Sequence, residues 1–424
     1  MISPRGLVQL IRLVIPCTVV LAACSTDATR EASAVVMRDS AGIAIVEQTA
    51  AHIAALPTWT IDTVPVLRID GDNLQNAFTS VRLVTSLPDG RVLVVDARHR
   101  DVREFATDGA FVRVMMPSGR GPGEVDYVQR VQVLDDGRVA VFDGNQRRIL
   151  FFDGTGGFAG QIAYPRFDDG TELRPIALLG DARLLASFRP PYVPPTVFNG
   201  PTRRDTFAVV TIRTSAGAAS SAAPRVDTIA LVPDREVFDV ITTEDGASRP
   251  DTDFLRFGPS TYMVSDGTRL VLGTNERFEL REYRGDALTR LSRVAIDAEP
   301  VPKDAGDRVR AWVASELESR PMPGSVKADR EVMRRGWRFA TVFPFHERLL
   351  LGDDGTLWAQ APSVLPSDAL RYLVFDTEGR AIARVSLPPR VTPHVVSRER
   401  VLGVWIDDDD VPHVRAWRVR EARE

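Results

Sequence analysis

Short apolar runs separated by Asp-Gly turns recur along the chain. Phe78–Phe111 aligns without gaps on Val125–Phe158 at an offset of 47 positions, and thirteen of the 34 aligned residues are identical. In each unit an apolar run meets an Asp-Gly turn, and a second, almost wholly apolar run follows before a polar loop. Asp-Gly between hydrophobic runs is typical of a β-hairpin. The pattern therefore predicts two copies of a four-stranded unit.

A four-stranded unit of this length cannot bury both of its faces alone, so we expect it to stack against further copies of itself. Weaker copies follow the first two, with turns at Gly180-Asp181, Asp266-Gly267 and Asp354-Gly355. The 343 residues from Phe78 to Arg420 accommodate six units of 47 residues and one insertion. We therefore predict an all-β fold, a six-bladed β-propeller of four-stranded blades within residues 35–424; five or seven blades remain open.

Two segments lie outside this repeat. Residues 35–70 contain two strand-like runs, Ile43–Val46 and Val64–Ile69, which are available to complete the last blade and so remove exposed sheet edges. A segment at about 296–345 instead carries apolar residues at helical spacing. We expect a helical insertion here, between late blades and over one face of the propeller. Its two apolar groups are Val309, Trp312, Val313 and Leu317, and then Val332, Met333 and Trp337.

Composition and charge narrow the functional classes. Hydrophobic residues make up 44% of the 424 residues, which is enough for a globular core. Two cysteines exclude a disulfide-dense scaffold and a cysteine-rich zinc module. The formal net charge of −4 argues against a nucleic-acid binder, because such proteins usually present a strongly basic face. We predict no nucleic-acid partner.

The start of the chain predicts a location outside the cytoplasm. Arg5 and Arg12 precede a short apolar run, Leu13–Ala22, and supply the positive charge that starts a secretory signal peptide, here over residues 1–23. The run is shorter than a membrane-spanning helix requires. We therefore expect an exported protein.

The end of this signal resembles a lipidation site. Leu21-Ala22-Ala23-Cys24 resembles the lipobox of bacterial lipoproteins, whose cysteine is acylated and becomes the new N-terminus. The resemblance implies lipidation of Cys24, followed by a polar tether over residues 24–34. Ser25 after the cysteine implies sorting to the outer membrane, facing the periplasm or the cell surface. An ordinary signal peptide with a chance cysteine is the alternative.

Two further motifs carry a resemblance to a protein family. Arg38–Ile43 reads Arg-Asp-Ser-Ala-Gly-Ile, and Gly119–Glu124 reads Gly-Arg-Gly-Pro-Gly-Glu. Both resemble segments of the six-bladed β-propeller lipoproteins of environmental bacteria, which are similar in turn to NHL-repeat propellers. The resemblance is strongest over the first two blades and departs at the long Pro190–Arg204 loop. It implies a fold and a location rather than a reaction.

Candidate chemistry is concentrated in the loops that follow the second strand of each blade. Such loops collect on one face of a propeller, so His99, Gln146 and Glu276 could converge on the mouth of the central channel. Asp96 and Asp143 end equivalent strands, and this equivalence favours a structural role such as capping of turn amides.

Other polar motifs favour structural interpretations. Gly119–Glu124 lacks the following helix and the lysine of a phosphate loop, so we interpret it as a tight turn between blades. Four consecutive acids at Asp407–Asp410 cannot all face one ion, so we interpret them as a hairpin turn. None of the five histidines has zinc-site spacing. We predict no catalytic residue, metal ligand or cofactor; calcium or another divalent ion in the channel is the alternative.

One basic segment stands out on this acidic protein. Lys327–Arg338 carries five basic residues against two acidic ones. It is interpreted either as a solvated helix face against an acidic rim or as a docking surface for a partner or an anionic polymer. The basic residues are Lys327, Arg330, Arg334, Arg335 and Arg338.

Without a catalytic constellation, the sequence favours a non-enzymatic function. The leading hypothesis is a lipid-anchored propeller of the cell envelope that binds a protein, peptide or glycan through its loops. The alternative is a metal-dependent hydrolase or lyase of the gluconolactonase-like propeller type, whose Glu, Asn and Asp metal ligands we cannot place in this chain. A third hypothesis is a component of a larger envelope complex, with Lys327–Arg338 as its contact.

Overall fold

The structure, a computed structural model, describes residues 35–70, 77–180, 183–189, 200–213, 225–244, 247–319 and 336–422. The predicted signal peptide, Cys24 and the tether lie outside these residues. Among the described residues, no helix is both long enough and apolar enough to span a membrane. The N-terminal elements are β1 (Val35–Ser40), β2 (Ile43–Thr49), α1 (Ala50–Ala54), β3 (Thr58–Ile61) and β4 (Leu67–Ile69).

The two repeat units form the first two blades, each an antiparallel sheet with its strands in sequence order. The second strand of each is buried along its whole length, which explains its continuous apolar sequence. Gly90 and Gly137 adopt positive φ angles of 88° and 82° in the first turns, a conformation that favours glycine. Blade one contains β5 (Val81–Ser86), β6 (Val92–Asp96), β7 (Asp101–Phe105) and β8 (Phe111–Met116). Blade two contains β9 (Val128–Val133), β10 (Val139–Asp143), β11 (Arg148–Phe152) and β12 (Phe158–Ala163).

Blade three departs from the four-stranded pattern. Its fourth strand is 19 residues long and pairs first with the third strand and then, from Val237 onward, with a fifth. Residues 237–254 therefore form a hairpin that extends beyond the blade. The strands are β13 (Glu172–Leu178), β14 (Arg183–Arg189), β15 (Arg203–Arg213), β16 (Val226–Glu244) and β17 (Ala247–Phe254).

The remaining blades recruit the N-terminal strands. Blade four contains β18 (Thr261–Ser265), β19 (Arg269–Thr274), β20 (Glu279–Arg284) and β21 (Ala287–Ala295). Blade five contains β22 (Arg348–Leu351), β23 (Leu357–Gln360), β24 (Leu370–Phe375) and β25 (Ala381–Leu387). Blade six contains β26 (Val391–Val396), β27 (Arg400–Ile406) and β28 (Pro412–Glu421), and β4 supplies its fourth strand by pairing with β28.

The sequence predicts that both N-terminal runs complete the last blade, but the structure differs. Only β4, within Val64–Ile69, does so. The run Ile43–Val46 lies in β2, which instead pairs in parallel with β21 at the outer edge of blade four. Between them, β3 pairs with β25 of blade five and with β28 of blade six. Residues 35–69 therefore cross the outer edges of three consecutive blades, because each of those edges offers unpaired backbone groups.

Hydrophobic packing closes the ring. Within the described chain, six clusters of buried apolar side chains each join two neighbouring blades, and the last joins blade six to blade one. In that last cluster Leu402 and Val414 pack with Val84 and Phe105. The fold is thus an all-β, six-bladed β-propeller, which confirms the sequence prediction; the fifth strand of blade three is an addition to it.

The insertion lies between blades four and five. Its helix α2 (Ala305–Ser319) contains the first apolar group that the spacing singled out. Arg310 of α2 donates to the Trp337 carbonyl oxygen at 3.2 Å. Val332 and Met333 of the second group lie outside the described residues, and Trp337 is not helical. Phe339, two residues later, instead forms a parallel bridge with Arg256 after blade three.

Candidate functional site

One side of the propeller, here called the loop face, holds the loops after the second strand of each blade and the connections between blades. Loops 97–100, 144–147 and 275–278 lie there, together with the connection 117–127. Strand directions alternate within a blade, so these segments end at the same level. The structure places His99, Gln146 and Glu276 in these loops, on blades one, two and four.

His99 is held by a buried aspartate. Its Nδ1 lies 3.1 Å from Oδ2 of Asp96, and its side chain is 47% exposed. Asp96 itself is fully buried and accepts the backbone amides of Thr79, Arg98 and His99 at 2.9–3.1 Å. Burial raises the pKa of Asp96, but the amides of Thr79 and His99 outweigh it and hold the pKa below its ordinary value. Asp96 is therefore an ionised anchor for the loop.

The equivalent residue of blade two, and the residue after the equivalent one in blade four, make similar contacts. Asp143 accepts the amides of Asp126, Tyr127 and Gln146 at 3.0–3.3 Å. In blade four Asn275 accepts the Ser260 amide at 2.6 Å. Each of these side chains ties the loop face to the segment that precedes its own blade, which is the turn-capping role that the equivalence of Asp96 and Asp143 predicts.

Gln146 is bound to the connection between blades one and two. Its Nε2 donates to the Gly119 carbonyl oxygen at 2.9 Å. The connection is a tight turn in which the Glu124 carboxylate accepts the Gly121 amide at 2.8 Å. A side chain at Gly119 would collide with that carboxylate, which explains the glycine. The motif is a turn rather than a phosphate loop, as its sequence indicates.

Glu276 forms an ion pair with Arg204 of blade three, at 2.7 Å. Each of the three candidate residues thus bonds to its own blade or to a neighbouring segment. The contacts among the described residues include none between any two of them. The loop face brings His99, Gln146 and Glu276 to one side of the protein without joining them into a single cluster.

A different set of residues lies at the centre of the ring. The first strand of each blade, here called an inner strand, is the edge strand that faces the propeller axis, and neighbouring inner strands contact one another. Between β9 and β13 the link is Gln132, which exchanges two hydrogen bonds of 2.8 Å with the backbone of Leu178. The six inner strands carry Arg82, Arg130, Arg174, Arg348 and His394 against one acid, Glu172.

Four inner strands contain a β-bulge, at equivalent positions in blades one and two and two residues nearer the hairpin turn in blades three and six. In each, one residue is left out of the ladder to the second strand. A bulge turns a side chain out of the regular alternation, and bulges are common beside functional sites. The residues left out are Arg82, Gln129, Ile176 and His394.

Most of the inner-strand cations lack an acidic partner. Arg82 donates to the Tyr127 hydroxyl and lies 4.2 Å from the centre of that ring. Arg130 and Arg348 are half-buried. Among the residues that the structure describes, neither forms a hydrogen bond or an ion pair, but Arg348 lies close enough to the Glu347 carboxylate to lower the pKa of that group against the larger effect of burial. Burial lowers the pKa of Arg130. Burial, assisted by Arg348, lowers the pKa of His394 to about 4, so that it is neutral at pH 7.

This arrangement does not fit a divalent cation. Across the described ranges, no group of three or more His, Cys, Asp or Glu side chains is arranged to hold a metal ion. The guanidinium groups of Arg130 and Arg348 would repel such an ion. The acidic run Asp407–Asp410 forms the turn between β27 and β28. Oδ2 of Asp407 lies 2.8 Å from Nε2 of His413.

Of the basic segment, only Arg338 is described; Lys327, Arg330, Arg334 and Arg335 lie outside the described residues. Arg338 donates to the Gly200 carbonyl oxygen at 2.7 Å, and its guanidinium lies 4.4 Å from the centre of the Phe238 ring. It therefore packs against the extended hairpin of blade three and is not a free surface cation.

Comparison with known proteins agrees with the architecture. A family model described as a 6-bladed β-propeller (DUF5128) matches residues 75–168, the part of the chain that forms blades one and two. A search of curated protein sequences returned no significant match.

Solved structures with a similar fold include bacterial proteins whose sequence identity to this chain is low. A DUF4221 family member from Bacteroides vulgatus is 10% identical, with 85% of this chain and 99% of that chain covered and a TM-score of 0.48. A Bacteroides fragilis protein, provisionally described as exported, is 12% identical, with 86% and 99% covered and a TM-score of 0.46. A gluconolactonase from Xanthomonas campestris is 13% identical, with 86% and 97% covered and a TM-score of 0.36. At this level, none of them indicates what this chain binds.

Proposed function

We propose that the protein is a lipid-anchored binding module of the cell envelope that holds a protein, peptide or glycan at the loop face of its propeller. In this proposal an anionic group of the ligand enters the mouth of the central channel. Arg82, Arg130 and Arg348 are the residues that would receive it.

The charge of the inner strands carries the proposal. The chain as a whole has a formal net charge of −4, yet its inner strands hold four arginines against Glu172 alone. Glu172 is already paired with Arg174, at 2.9 Å. Arg130 is half-buried and has no counter-charge among the described residues. A guanidinium in that position is costly, and an anionic ligand would offset the cost. Arginine is also well suited to carboxylate or phosphate groups, because its planar fork donates two parallel hydrogen bonds.

The same charges disfavour the metal-dependent hydrolase. That mechanism would need acidic or amide ligands around a divalent ion in the channel. Arg130 and Arg348 stand at the inner strands instead, and His394 lies beside Arg348. We therefore keep the binding function as the proposal.

The test uses soluble anionic polymers as probes. The chain from Ser25 onward is titrated with polygalacturonate, an acidic glycan, and with poly-L-glutamate, an acidic peptide; neutral dextran is the control ligand. We expect at least one anionic polymer to bind, with an affinity that falls as salt is added. Replacing both Arg130 and Arg348 by glutamine should weaken binding about tenfold or more, because each guanidinium contributes a charge-assisted hydrogen bond.

Arg213→Gln is the matched control, because Arg213 ends β15 at the opposite side of blade three and is exposed. It should bind the probes as the parent does. Failure of both anionic polymers to bind at low salt, or equal binding by the double variant, would contradict the proposal. Which of the two polymers binds more tightly separates a glycan ligand from a peptide ligand.

The anchor is tested separately. In cells fed an alkyne analogue of palmitate, the parent chain should be labelled and recovered with the outer membrane. Cys24→Ser should abolish the label, because it removes the only thiol left after the predicted cleavage. Cys17→Ser, which changes the other cysteine within the predicted signal peptide, should leave the label in place. Labelling of the Cys24→Ser chain would refute lipidation at this residue.

A further inference from the structure

A cavity of about 340 Å³ lies between blades four and five. Blade four contributes Phe278, and strands β23–β25 of blade five form the opposite wall. The insertion contributes residues 343–345, and the N-terminal segment closes one side with Ile53 and Thr58. None of the inner-strand cations lines it. Its volume is within the range of small-molecule sites.

The interior of the cavity is aromatic. Phe278, Phe343 and Phe345 line it together with Leu373. The rings of Phe278 and Phe345 lie 6.1 Å apart between centres, and Phe278 also packs on the buried His346 ring at 5.7 Å. Aromatic walls fixed in this way favour a flat apolar group, which can stack on one ring and meet the edge of another.

The mouth of the cavity carries charges of both signs. Pairing of Leu373 with Arg384 and of Arg371 with Ser386 puts these four side chains on one face of the blade-five sheet. Arg371 is neutralised by Glu299 at 3.3 Å. Asp297 and Glu299 lie on the opposite lip, in the segment after β21.

Two of these charges have no ionic partner among the described residues. Within those ranges Arg384 donates to two uncharged oxygens, the Leu56 carbonyl at 3.2 Å and the Thr58 hydroxyl at 3.3 Å. Asp297 is exposed and has no ion partner within the part of the chain that the structure describes. The mouth thus offers one cation and one anion above an aromatic cavity.

We propose that this cavity binds a free aromatic amino acid. Arg384 would receive the carboxylate, Asp297 the ammonium group, and the rings of Phe278, Phe343 and Phe345 the side chain. Residues inside a peptide have neither terminal charge, so the free amino acid uses both partners where a peptide segment uses none. This site is separate from the channel mouth, and its ligand is a small molecule.

Calorimetry with four related compounds tests the assignment on the chain from Ser25 onward. Tryptophan carries both charges, indole-3-propionate lacks the ammonium group, tryptamine lacks the carboxylate, and indole lacks both. We expect tryptophan to bind most tightly. Loss of either charge should weaken binding about fivefold, as for a partly exposed ion pair.

Single substitutions assign each charge to its partner. Arg384→Gln should weaken tryptophan about fivefold and leave tryptamine unchanged, whereas Asp297→Asn should weaken tryptophan and leave indole-3-propionate unchanged. Asp297 is exposed, so its variant keeps the test valid even where Arg384→Gln disturbs folding. The Arg130 and Arg348 double variant should bind tryptophan normally, so failure at either site is distinguishable from failure at the other.

Two results would overturn the proposal. One is no measurable binding of tryptophan. The other is equal affinity for all four compounds, which would show an apolar cavity that ignores both charges.

Discussion

Replacing Asp96 by alanine is expected to lower the free energy of unfolding by about 3–5 kcal/mol. The carboxylate is fully buried and accepts three backbone amides, those of Thr79, Arg98 and His99. A backbone amide that loses its acceptor costs about 1–3 kcal/mol where water does not replace that acceptor. The substitution also removes the carboxylate that lies 3.1 Å from Nδ1 of His99. Chemical unfolding followed by tryptophan fluorescence measures the change.

Two variants serve as controls for this result. Asp96→Asn keeps one acceptor oxygen and should cost about half as much as the alanine substitution. Asp135→Ala removes an exposed carboxylate at the first turn of blade two and should change stability by less than about 0.5 kcal/mol. If Asp96→Ala were no more harmful than Asp135→Ala, the anchoring role assigned to Asp96 would be incorrect.

The second large effect is a loss of stability in acid caused by buried histidine. His346 is fully buried, and neither ring nitrogen has a hydrogen-bond partner among the described residues. Burial lowers its pKa from 6.5 to about 3. Between these two values the unfolded chain binds a proton that the folded protein does not. His346 therefore costs no unfolding free energy well above pH 6.5, and the unfolding free energy falls as the pH drops from 6.5 toward 3.

The expected size follows from the width of this window. Each pH unit within it costs about 1.4 kcal/mol for one histidine, so His346 alone should cost about 3 kcal/mol at a pH of about 4.5. His394, with its pKa lowered from 6.5 to about 4, adds a similar loss over a narrower window. Unfolding free energies measured at several pH values give the slope directly.

His346→Leu should reduce that slope by about one proton, because leucine fills the site without a titrating group. At neutral pH the variant should unfold at nearly the same denaturant concentration, since the imidazole nitrogens make no hydrogen bonds that leucine would lose. An unchanged slope in His346→Leu would show that this histidine does not drive the acid sensitivity.

The sequence predicted most of the architecture, because β-propeller blades are encoded locally. The Asp-Gly turns and the buried second strands of blades one and two lie within single repeat units, and their periodicity is visible by eye. The pairing of β2 with β21 was not predictable in this way. It pairs Glu47 with Arg293. A local sequence pattern cannot predict a parallel contact between residues so far apart along the chain.

The residues of the candidate site were harder to predict from the sequence. His99 and Gln146 were located in the correct loops, because loop positions follow from the strand pattern. Arg82 and His394 were missed, since a β-bulge changes the direction of a side chain without altering the apolar alternation around it. The one available signal was the bias of the inner strands toward arginine, which becomes visible only when the strands of all six blades are compared.

The path of residues 35–69 over three blades also governs how the chain reaches this structure. Arg415 of β28 pairs with Asp70, a residue 345 positions earlier, and β4 joins blade six only through such contacts. The entropy of closing so long a loop must be overcome before the ring gains any stability from closure, which slows folding. Until the C-terminal strand arrives, the edges of β3 and β4 are unpaired and prone to intermolecular pairing. Strand β28 is thus the one that protects β3 and β4, which precede it by more than 300 residues, from aggregation.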